Sequence, residues 1–192
     1  NWRDEVSAIV LDIWIRLLRK RGWEDFDGVQ RGVAMLRAKQ RKQESEFLME
    51  AERRKDARPA WELMSQYHIA RAAEILGTYL CQGSVEGHYD IRQQLEAQFE
   101  RAIITAEKGQ LMEHEIFARL LARTAQAMVD NSIWTVTRAV NSRVTKFVES
   151  VVSRDKQPIF EMLPPQRHTL REEGLLGSGH RSVLVSLPTS SG

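Results

Sequence analysis

The 192-residue chain has a single cysteine, Cys81. That excludes an internal disulfide and any thiolate cluster around a structural metal, and it points to a reducing, cytoplasmic setting. Long apolar runs are missing as well. Nothing approaches the roughly 20 residues that span a bilayer, and the N-terminus lacks the basic-then-apolar layout of a signal peptide. Nor is there an excess of either charge: 28 basic side chains face 26 acidic ones. A net charge of +2 neither requires nor excludes nucleic acid, because a local patch can bind phosphate on a nearly neutral protein. What is present is ordinary for a globular domain: 42% hydrophobic and 28% charged residues, enough to build a sizeable core. The chain opens on Asn1 rather than methionine, so trimming at the front is expected, and together these features read as a soluble intracellular fragment.

From about residue 3 to 152 the apolar residues recur at helical spacing. Val6, Ile9, Val10, Ile13, Leu17 and Leu18 line one face of a first helix that Gly22 ends. The run from Trp23 to Gly28 reads as a turn with two aromatic anchors. A second helix is expected over about 29–57, apolar at its ends (Val33, Leu36, Phe47, Leu48) and nearly all polar from Arg37 to Glu46. Pro59 suits the first turn of a third helix, where its missing N–H costs nothing. That helix is striped by Trp61, Met64, His68, Ala72, Ile75 and Tyr79, and Gly83 and Gly87 bracket the loop after it. A fourth helix follows Ile91 and closes at Gly109, and a fifth carries Phe117, Leu120, Leu121 and Met128. Asp130-Asn-Ser132 offers short polar side chains to cap a sixth, striped from Ile133 to Val151. The fold class is mainly α, about six helices in a bundle or array of hairpins. No repeat of 30 to 50 residues recurs convincingly.

Near residue 155 the character changes, and a boundary between 1–155 and 156–192 is expected there. Leu163-Pro-Pro-Gln166 introduces a short helical stretch ending near Gly174. A Gly-rich turn at 177–179 leads to Ser182-Val-Leu-Val-Ser-Leu187, which reads as a buried parallel strand, and Pro188-Thr-Ser-Ser-Gly192 ends the chain. A strand running into a glycine-containing loop is how phosphate-binding loops begin: backbone N–H groups surround the phosphates and the next helix adds its N-terminal dipole. The usual loop closes with Gly-Lys-Ser/Thr, and Gly192 is the last residue here.

Taken together, these residues resemble the first two motifs of superfamily 2 helicases, most closely the DExH-type branch, over roughly a sixth of the chain. The resemblance implies the first strand and loop of a RecA-like α/β domain. It also implies that Gln166 reads the adenine edge through its carboxamide, which donates and accepts at once. Thr189, Ser190, Ser191 and Gly192 would form the front half of the loop, serving ATP and Mg²⁺ in a parent protein. Phe160 and Phe147 are both candidates for the aromatic partner of the glutamine motif. With no loop lysine, no acidic Mg²⁺ motif and no arginine finger, the 192 residues are expected to contain no catalytic residue and to hydrolyse no ATP.

Other features have blander readings. Glu113-His-Glu115 lacks the second histidine of a helical zinc site and reads as a surface turn of helix. His68 reads as a packed, hydrogen-bonded histidine, and Cys81 as a small buried hydrophobe. Arg37, Lys39, Arg41, Lys42, Arg53, Arg54 and Lys55 could track a phosphate backbone. The glutamates between them, however, have the spacing of intrahelical ion pairs. The expected function is therefore the accessory N-terminal region of an ATP-dependent helicase or translocase acting on DNA or RNA. Its helical part would dock a partner subunit or guide the strand, a layout also found in bacterial antiviral defence. The alternative is a non-enzymatic helical interaction domain with no motor.

Overall fold

A computed structural model of the chain describes residues 2–49, 57–87, 90–138 and 144–171. These form eight helices: α1 Trp2–Arg19, α2 Trp23–Met49, α3 Arg58–Gln82, α4 Ile91–Lys108, α5 Met112–Asn131, α6 Ile133–Arg138, α7 Thr145–Val152 and α8 Pro164–Arg171. The mainly helical class is as expected. No β-strand occurs among the described residues, only an isolated antiparallel bridge between Ser132 and Glu161. The expected strand at 182–187 and the loop at 188–192 lie outside the described residues. No helix described is long and apolar enough to cross a membrane.

α3 is the axis of the bundle, touching α1, α2, α4 and α5. Its sequence explains this position. Ile69, Ala70, Ala72, Ala73, Ile75, Leu76, Tyr79 and Leu80 are all buried and spread round much of the circumference, as a helix surrounded by others requires. Small residues on α3 let its neighbours come close, and Trp14, Leu17, Leu36, Phe99 and Met128 fill the space between. Pro59 does sit in the first turn of α3, and Gly83 terminates the helix in the left-handed conformation at φ 70°, its N–H donating to Tyr79 O at 2.7 Å. α4 begins with a full capping box, Asp90 accepting from Gln93 N–H and the Gln93 side chain accepting from Asp90 N–H.

Two expectations about helix bounds need correction. The run from Trp23 to Gly28 is not a turn but the start of α2. Glu24 and Asp25 suit the positive end of the helix dipole, and Trp23 and Phe26 share one face, three residues apart. Gly28 is there for closeness rather than for a turn: a Cβ would lie 2.5 Å from Arg16 Nη1, and one on Gly32 would lie 2.7 Å from Ile13 Cγ1. The expected single sixth helix is described as two, α6 and α7. Four of the first five residues of α6 (Ile133, Thr135, Val136, Thr137) are β-branched and weak helix formers. The short helix is held by tertiary bonds instead: Trp134 Nε1–H donates to Leu80 O at 3.0 Å and Arg138 to Gly83 O at 2.9 Å.

Candidate functional site

The described part of the segment expected to carry a nucleotide motif is a strap that leaves α7 and packs on the bundle. Phe160 is buried, its ring 4.5 Å from Phe26 and 5.7 Å from Trp23 between centroids. Trp23 also donates from Nε1 to Arg154 O at 3.0 Å. The backbone of the strap pairs with the α5–α6 junction: Ile133 N–H donates to Phe160 O at 3.0 Å, and Met162 N–H to Asn131 O at 2.9 Å. Glu161 forms an ion pair at 3.2 Å with Lys20, whose side chain is largely buried. Packing thus continues across residue 155, from the bundle into the first residues of the 156–192 segment.

Pro164 and Pro165 occupy the first turn of α8, where no backbone donor is lost. Gln166 follows in that turn, half-buried, and its Oε1 accepts Leu163 N–H at 3.0 Å. This is the reach-back half of a capping box. The carboxamide Nε2 keeps its donors, and Oε1 keeps a second lone pair. Next in sequence, Arg167 donates from Nη1 to the Asn131 side-chain oxygen. Of the two aromatic candidates, Phe160 is spent on the core while Phe147 stands exposed on α7. Thr189, Ser190, Ser191 and Gly192 lie outside the described residues, so Gln166 is the one member of that set with a described geometry.

On α2, Arg37 donates to Glu74 Oε2 at 2.5 Å, an oxygen shared with Arg71 at the same distance. Lys39 pairs with Glu5 of α1, and that bond holds the Glu5 carboxyl below its usual range. These ion pairs run to α3 and α1, not along α2 as the glutamate spacing suggested. Arg41 and Lys42 are exposed; Arg53, Arg54 and Lys55 lie outside the described residues. Cys81 is half-buried against the core, and desolvation pushes its thiol up to about 12, so it stays neutral at physiological pH.

One feature escaped the sequence reading. α1 and α5 both lie on α3, and a cavity of about 240 Å³ opens between them, lined by Val10, Leu11, Ile69 and Phe117, with Ser7 and Glu113 at its edge. Gln66 donates from Nε2 to His114 Nε2 at 3.3 Å in its floor, and buried Glu62 lies 3.8 Å from the same ring nitrogen. The Gln66 carbonyl oxygen is buried without a donor. Leu11, Ile15 and Leu18 on α1 and Met112, Ile116 and Leu120 on α5 are all exposed. Leu18 and Leu120, expected on the apolar faces of their helices, are turned outward by the packing. The signal was legible as a second stripe, three or four residues apart, beside the buried one. His68, as expected, is hydrogen-bonded, with Nδ1 2.9 Å from Gln98 Oε1. No family model, curated protein or solved structure matches the chain.

Proposed function

We propose that this chain is the N-terminal accessory region of an ATP-dependent nucleic-acid helicase or translocase of superfamily 2. Residues 1–155 act as a docking module, and residues 156–192 open the ATP-binding domain of a cytoplasmic parent. The observation that carries this reading is the placement of Gln166. It stands in the first turn of α8, directly after two prolines, with Nε2 unspent. The strand-to-loop sequence pattern of 182–192 follows it in the order that the family's motifs take. ATP and Mg²⁺ would be bound by the parent, and catalysis there would be positioning and charge stabilisation of phosphoryl transfer. A parent extending past Gly192 with Lys-Thr or Lys-Ser, and showing nucleic-acid-stimulated ATP hydrolysis that a Lys→Ala change abolishes, is the expected result. Another dipeptide, or no hydrolysis, would leave the non-motor interaction domain as the reading.

Between docking and strand guidance, the side chains favour docking. Arg37 and Lys39 spend their charge on Glu74 and Glu5. The α1–α5 groove instead offers apolar walls, Glu113 as its charged lining residue and an acceptor in its floor. It suits a partner's amphipathic helix carrying aliphatic anchors and a basic side chain. Nucleic-acid affinity of the 192-residue chain that falls steeply with added salt would instead support strand guidance.

A further inference from the structure

The strap is fixed on both sides of Gln166 by one residue of the bundle. Asn131 ends α5, where the last carbonyls of a helix have no intrahelical partner. Its main-chain oxygen takes Met162 N–H at 2.9 Å, four residues before Gln166. Its side-chain oxygen takes the Arg167 guanidinium, one residue after it. Between these two points lie Leu163 and the two prolines, whose φ angles are locked, and Leu163 N–H is itself held by Gln166 Oε1. The carboxamide thus sits on a short, stiff span pinned at both ends to the same residue.

Among the described residues the Arg167 side chain has no second hold. Its Nε is buried without an acceptor, so Asn131 Oδ1 is the anchor of that guanidinium. Around the pin, Phe160 O takes Ile133 N–H, and the Ser132–Glu161 bridge sets the register of the strap. A one-residue slip would move Gln166 by over 3 Å.

We propose that Asn131, acting through Arg167, is a positioning residue that sets Gln166 for adenine recognition, so the accessory bundle fixes the base specificity of the motor. This rests on the helicase reading. Neither residue touches nucleotide in this scheme; the bundle supplies the register and Gln166 the contact.

The test uses the parent protein with ATP and GTP as substrates. Asn131→Ala should raise KM for ATP by about tenfold, the loss of one hydrogen bond to a charged group. It should leave kcat within about twofold and KM for GTP unchanged. Asn131→Asp retains an acceptor and should restore the ATP preference, and Arg167→Met should reproduce the alanine effect should Asn131→Ala fail to fold. Amide exchange at Met162 reports whether the strap has loosened. A loosened strap with an unaltered ATP-to-GTP preference would overturn the positioning role while leaving the motor intact. A parent that hydrolyses neither nucleotide overturns the helicase reading, and this inference with it.

Discussion

Asp25 shows how much one side chain can carry at an element boundary. α1 ends where Lys20 turns into the left-handed region at φ 39°, and Asp25, buried in the first turn of α2, spans the gap. It accepts from Arg19 Nε at 3.0 Å and from Arg21 N–H at 2.9 Å. The Arg19 bond, with help from the Arg21 amide, holds its carboxyl below the ordinary value of 3.8 against the opposing effect of burial. A carboxyl depressed on folding stabilises above its unfolded pKa, and that contribution is lost as pH falls through its folded value. Asp25→Asn should therefore cost about 1–2 kcal/mol at pH 7. The deficit should shrink once the pH drops below 3.8, as urea unfolding of both proteins at pH 7 and pH 3 will show. A deficit of equal size at both values would mean that shape, not charge, matters at this turn.

At the scale of elements, the legible signals were local ones. Pro59 in a first turn, Gly83 and Gly109 at helix ends, and Ser132 ahead of α6 all act within a few residues of themselves. Ser132 does cap α6, its Oγ accepting Trp134 N–H at 3.3 Å. Asp130, though, went to Arg92 at 2.7 Å and Asn131 to the strap. These are partners dozens of residues away, which spacing does not reveal. Gly28 misled for the same reason: its purpose is the approach of α1, so a residue that punctuates a turn locally sits inside a helix. Gly83 combines both roles. Besides its positive φ, a Cβ there would meet the Trp134 ring at 2.3 Å. The indole covers the end of α3 and donates to Leu80 O, so it cannot move aside without losing that bond. Gly83→Ala should destabilise the protein by about 3 kcal/mol, joining backbone strain to overpacking. Thermal unfolding measures it, and a loss below about 1 kcal/mol would show that the ring yields.

For the whole molecule, the composition break near residue 155 and the limits of packing do not coincide. The sequence loses its helical period there, since an extended strap has no stripe to display. The strap still contributes Phe160, buried against Trp23 and Phe26, and backbone bonds to the α5–α6 junction. Glu161 and Lys20 tie it to the α1–α2 corner, so it joins early and late elements of the bundle, and the whole should unfold as one unit. Phe160→Ala deletes a buried ring and should cost about 3–4 kcal/mol. The decisive readout is where that cost falls. If the strap belongs to the cooperative unit, the variant lowers the single urea midpoint of the entire helical signal. Amide protection should fall together in α2, α5 and the strap. Were the strap a separate appendage, the helical transition would keep its wild-type midpoint and only residues 158–163 would exchange faster. The first outcome makes the bundle and the segment bearing Gln166 one mechanical body, as the proposed positioning role of Asn131 requires.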